Sequence, residues 1–176
     1  MTDPTLPETI PSPSIEGSVR THALNLLEEI FTAHHGYILD RGTSFFETLA
    51  EIDAETASLR YSPHCGTLAA QVNHTRFYLD VVLRAMRDGD NTPADWDSSW
   101  EIEAVNEEEW AALLAGLRAS YEAVAAHIGT RETWDDSAVG DAMALVAHSA
   151  HHLGEIRQAL AVIPLLRPGF GDQSIG

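Results

Sequence analysis

Apolar residues recur at three- and four-residue spacing through four long stretches of this chain, and no stretch shows the sustained alternation of a strand. The first stripe is Val19, Ala23, Leu26, Leu27, Ile30, Phe31 and His34, with Ser18 as the expected N-cap. The second runs from Thr67 to about Arg87 through Leu68, Val72, Phe77, Leu79, Val82, Leu83 and Met86, with His74 inside it. The third opens at Asn106, with Glu109 at the third helical position and Val105 and Trp110 as a hydrophobic staple, and passes Leu113, Leu117, Tyr121 and Val124 before an expected stop at Gly129. The fourth is capped by Asp135 and is expected to reach Val162, with Pro164 ending it. Amphipathic helices of this length bury their stripes against one another, so the predicted fold is all-α, a four-helix bundle.

The shorter signals fit around these four. Gly36 and Gly42 bracket a break, so the first leg is split; Ser44-Phe45-Phe46-Glu47 reads as a capping box for a short helix to about Ile52, and Asp53 to Ala57 gives one more turn. Ser62 to Gly66 is a loop. Gly89 to Ala104, between the second and third main helices, is acidic and carries Trp96 and Trp100. It exceeds the ~12–15 residues beyond which a connection commonly has a task. The expected organisation is a flexible leader over 1–17, a bundle over 18–164 and a tail over 165–176.

Charge narrows the function. A chain of 176 residues with ten arginines, no lysine and a formal net charge of −17 repels phosphate backbones and anionic membranes, so neither nucleic acid nor membrane is an expected partner. No apolar run approaches the ~18 residues of a membrane span. Met1 to Gly17 is rich in Pro, Ser and Glu and lacks the basic start and apolar centre of a signal peptide, so the expected location is cytoplasmic. Cys65 is the only cysteine, which excludes an internal disulfide and a CxxC motif.

The chemistry concentrates in Ala147-His148-Ser149-Ala150-His151-His152-Leu153-Gly154-Glu155-Ile156. On a helix His148 and His152 lie about 40° apart and one turn apart, on the face that also carries Leu145, Ile156 and Ala159. Two imidazoles so placed converge on one metal ion, and His74 supplies a third nitrogen from a facing helix. Such a set suits zinc, nickel, iron or copper and leaves positions for water or substrate. His151 lies about 60° round the helix from His148 and is expected to be exposed or to support a ligand from behind. Glu155, on the right face, is a candidate to orient a ligand histidine or to handle protons. The metalloprotease motif H-E-x-x-H is absent, since Ser149 follows His148. Packing is the expected role of Trp96 and Trp100, inertness that of Cys65, and His34 and His22 are expected to join only if a pocket recruits them.

With a histidine in the second main helix, within Thr67 to His74, and His148-x-x-x-His152 in the last, the chain resembles the DinB/YfiT-like superfamily of four-helix-bundle metalloproteins over roughly residues 43–160. The resemblance implies a divalent metal held by His74, His148 and His152, zinc or nickel first. It also implies a homodimer, and a metal-dependent transfer to a low-molecular-weight thiol such as mycothiol or bacillithiol, with a small molecule as substrate. Some transferase relatives carry a carboxylate where this chain has His148. The family name refers to damage-inducible expression, hence a stress-response role, and not to DNA binding. Metal-assisted hydrolysis, a non-catalytic metal- or ligand-binding protein, and a bundle with hydrogen-bonded histidines and no metal are the other readings of the same residues.

Overall fold

The computed structural model describes residues 14–166 apart from Tyr61 and Pro63. Six α-helices and no strand are present among the described residues: α1 (Ile15–Phe31), α2 (Phe45–Leu49), α3 (Ala54–Ala57), α4 (Leu68–Asp88), α5 (Glu107–Thr130) and α6 (Asp136–Leu166). The four long ones form the bundle. Helix α4 packs on α5 and α6, α1 packs on the same two, and α1 and α4 stand at opposite corners. Leu27, Ile30, Phe31, Leu79, Leu117, Ile128, Leu145 and Ile156 are fully buried between them. No described helix is long and apolar enough to cross a membrane.

Contacts along the bundle fix the direction of each helix. Arg131, just past α5, donates to the Met86 carbonyl near the end of α4, while Arg20 near the start of α1 donates to the Arg131 carbonyl. Ser120 of α5 donates to Asp80 of α4 at 2.6 Å, and the Arg76 side chain passes 3.1 Å from where a Cβ on Gly116 would stand. Helices α4 and α5 therefore run in the same direction, against α1 and α6. Two parallel neighbours need a connection that returns the full length of the bundle. Covering the ~30 Å of α4 takes at least about ten extended residues. That requirement accounts for the long acidic loop, and it carries Ser99, Trp96 and Trp100 across the α4 surface.

The predicted caps at Asn106 with Glu109 and at Asp135 are formed, and Thr67, expected as the first residue of its helix, is the N-cap of α4: each side-chain oxygen accepts a backbone N–H of the first turn, at 3.0, 2.8 and 3.0 Å respectively. Glu47 accepts from both the backbone N–H and the hydroxyl of Ser44, which starts α2.

Several boundaries differ from the sequence expectation. Helix α1 begins at Ile15, because Ser14 accepts the Gly17 N–H at 3.0 Å and so caps one turn before Ser18. Residues 15–17 thus belong to the bundle, and the rest of the expected leader, 1–13, lies outside the described residues. Helix α2 ends at Leu49, short of Ile52, whose carbonyl is taken by the Trp110 indole at 2.8 Å. Gly129 stays helical without a positive φ, and α5 ends one residue later as Arg131 turns to extended backbone, its guanidinium donating to the Met86 and Thr133 carbonyls. Pro164 does not end α6, which reaches Leu166. Proline there removes a single N–H near the helix end, and the buried Ile163 anchors the preceding turn. The rest of the expected tail, 167–176, lies outside the described residues. A 3-10 turn, Asp97–Trp100, interrupts the long loop where only irregular structure was expected.

Candidate metal centre

The antiparallel pairing of α4 with α6 brings His74 against His148 and His152. Their donor nitrogens lie within 4.8 Å of one another; His74 and His152 are buried, 8% and 5% exposed, and His148 is half-buried. His74 Nε2 stands 3.2 Å from His148 Nε2. Two nitrogens held at ~2.0–2.1 Å around a tetrahedral ion are about 3.3 Å apart, so this pair already has the required separation.

Hydrogen bonds determine which nitrogen of two of the rings is free. Ser99 donates its hydroxyl proton to the Trp96 carbonyl at 2.6 Å, so its oxygen can only accept from His74 Nδ1, 2.7 Å away. His74 is thereby the Nδ1–H tautomer, with its Nε2 lone pair facing the group. Glu155 Oε2 accepts from His152 Nδ1 at 2.8 Å, which frees the Nε2 of that ring too. A polar group that pins one ring nitrogen and leaves the other as a ligand is the usual support of a metal-binding histidine. His148 is held differently, by its ring lying flat on Tyr78 with centroids 3.5 Å apart and planes 7° apart. Its Nδ1 is buried with no hydrogen-bond partner among the described residues. Trp100 stacks on His74 at 4.1 Å.

The surroundings keep these rings neutral. Burial, with His152 next, pushes His74 down to about 4; burial, with His152 and His74 next, pushes His148 down to about 3. Burial also lowers His152, against the opposing pull of the Glu155 carboxylate. Neutral imidazole is the form that ligates a metal.

The remaining sequence candidates fall into clear places. Glu155 accepts from His152 and lies 3.2 Å from His151 Nε2, so it bridges the two. His151 itself is exposed, on the outer side of that carboxylate. Trp100 does more than pack the loop, since it walls the group, while Trp96 meets Phe77 edge-on and remains 41% exposed. Cys65 is half-buried and lines a cavity shared with His152. His22 lines an apolar groove between α1 and α6, and His34 sits beside Gly36; neither joins the histidine group.

Sequence reasoning missed Ser99 and Tyr78. Tyr78 is four residues after His74, so helical spacing already placed it on the same face. Ser99 carried no such signal, because the contact depends on how the crossover loop lies. No protein-family model, curated protein or solved structure matches this chain.

Proposed function

We propose that the protein is a DinB-like metalloprotein whose divalent ion is held by His74, His148 and His152, and that it works as a metal-dependent thiol S-transferase on a small electrophilic molecule. The observation that carries the metal reading is the pair of pinned rings, His74 by Ser99 and His152 by Glu155, each with its Nε2 left free beside the group that includes His148. When bound, a divalent ion at three neutral nitrogens lowers the pKa of a water or thiol to near neutrality and so supplies a nucleophile. The chain's own residues do the rest. Ser99 and Glu155 hold two ligand rings in the binding tautomer, and Tyr78 and Trp100 fix ring planes.

Glu155 is better supported as a positioning residue than as a proton carrier. One of its oxygens is engaged by His152 and the other by His151, which leaves hydrolysis without a free carboxylate base in the group. The transferase reading rests on the resemblance of the His74 and His148-x-x-x-His152 pattern to a superfamily that includes thiol S-transferases. Zinc-loaded full-length protein should conjugate a low-molecular-weight thiol to an electrophile faster than free zinc does, and chelator should abolish the difference. If metal binds but neither a thiol–electrophile panel nor an ester and amide panel is turned over, the protein is a non-catalytic metal- or ligand-binding protein.

A further inference from the structure

Two adjacent residues of α4 reach Ser99 in the crossover loop. Asn73 Nδ2 donates to the Ser99 carbonyl at 2.9 Å, and His74 Nδ1 donates to the Ser99 hydroxyl at 2.7 Å. The turn that carries Ser99, Asp97–Trp100, makes no other hydrogen bond to α4 among the described residues. Trp100 stacks on His74 and Trp96 meets Phe77 edge-on, but burial of rings is far less directional than a hydrogen bond. One of the two bonds is made by the ligand ring itself. A ring is not held in place by a hydroxyl that only the ring holds, so the anchor of Ser99 on α4 is Asn73.

The Asn73 amide is oriented in turn. A carbonyl can only accept and a guanidinium can only donate, so Nδ2 faces Ser99 while Oδ1 accepts from Arg76 Nη2 at 3.2 Å. The Arg76 side chain lies against α5 at Gly116, where a Cβ would stand 3.1 Å from its Cδ and 3.3 Å from its Nη1. Glycine at that position leaves the arginine its room. We infer that Asn73 is a positioning residue of the metal centre: by holding the Ser99 carbonyl it sets the hydroxyl that takes the His74 Nδ1–H and leaves Nε2 free for the ion. Which imidazole nitrogen is protonated is set by the hydrogen bond the other makes, so losing the anchor loosens the tautomer as well as the ring. This rests on the three-histidine metal reading.

The test is a double-mutant cycle on zinc affinity in the full-length protein, with Asn73→Leu and Ser99→Ala. Each alone should weaken zinc about tenfold or more. Together they should cost no more than about threefold beyond the larger single loss, because both break one path, whereas independent roles would multiply to about a hundredfold. Should the leucine variant fail to fold, Asn73→Ala takes its place. Long-range proton–nitrogen NMR of the metal-free protein reads the tautomers separately. His74 should carry its proton on Nδ1 in the wild type and shift toward Nε2 in the Asn73 variant. His152, held by Glu155, should not change, which a general loosening of the bundle would not give. Multiplicative losses, an unchanged zinc affinity in the Asn73 variant, or a His74 tautomer that does not move would overturn the assignment. A wild-type protein that binds no zinc removes the metal centre instead, and the tautomer spectra then decide whether Asn73 sets this ring.

Discussion

In chelator-treated protein, stability is expected to fall steeply as pH drops from about 6.5 to 5. His74 and His148 are held near 4 and 3 when folded and return to about 6.5 when unfolded. A folded pKa below the unfolded one means that the unfolded chain binds more protons throughout the window between them, so acid favours unfolding. Above pH ~6.5 neither state is protonated and the term vanishes. At pH 5 the buried His74 costs up to roughly 2 kcal/mol, and the half-buried His148, whose shift shares the same mutual repulsion, adds less than that again, set against the ~5–15 kcal/mol that stabilises an ordinary domain. His152 shifts in the same direction and adds to the loss. Bound metal opposes protonation at the same nitrogens, so it should extend stability to lower pH until protons displace it. Denaturant melts between pH 8 and 5, with and without zinc, check this. A metal-free protein equally stable at both ends of that range would show that the three rings are not kept neutral together.

Glu29→Ala should cost about 2–4 kcal/mol, although the residue is far from any proposed chemistry. Its carboxylate is fully buried and accepts the backbone N–H groups of Gly36, Tyr37, Ile38 and Leu39 at 2.9–3.2 Å. The chain leaving α1 folds over the end of the side chain, with Gly36 at φ +83° allowing the turn. Burial alone would raise the Glu29 pKa, but the four backbone donors outweigh it and the net shift is downward. Its contribution is therefore present above the usual carboxylate pKa and lost as pH falls through the lowered folded value, a window well below that of the histidines. Hydrogen bonds to a charged acceptor contribute about 1.5–3 kcal/mol each in favourable cases. Water reaching the exposed loop after truncation recovers part of that, which sets the estimate below the simple sum. Glu29→Gln keeps one acceptor oxygen and should lose less. Equilibrium unfolding in denaturant measures both, and a Glu29→Ala loss under about 0.5 kcal/mol would mean that the loop is held by something else.

The bundle and most of its helix starts were legible because they rest on local signals: apolar spacing for the long helices, and short polar side chains at Thr67, Asn106 and Asp135 for the caps. Helix ends were less legible. Gly129 and Pro164 carry strong local stop signals, yet long-range contacts at Arg131 and burial at Ile163 moved the real ends past them. The i, i+4 histidine pair and its meeting with His74 were legible for the same reason as the helices, since spacing fixes a face and a bundle buries faces. What encloses the group was not. Ser99 is 25 positions from His74 and reaches it only because α4 and α5 run parallel, a fact of topology that no local pattern encodes. Glu29 was hidden likewise: it lies off the apolar stripe of α1 and is buried by a loop that returns over it.

The most direct measurement is a zinc titration of untagged, chelator-stripped full-length protein by calorimetry, repeated on single-residue variants. The account predicts about one ion per chain. It predicts a loss of affinity of at least about 100-fold for His74→Ala, His148→Ala and His152→Ala, and roughly 10–100-fold for Glu155→Ala, which releases the His152 ring. His151→Ala should change affinity by less than about threefold, since that side chain is exposed on the far side of Glu155. An absence of tight zinc binding in the wild-type protein, or a His151→Ala variant that loses zinc while His148→Ala retains it, would contradict the three-histidine centre.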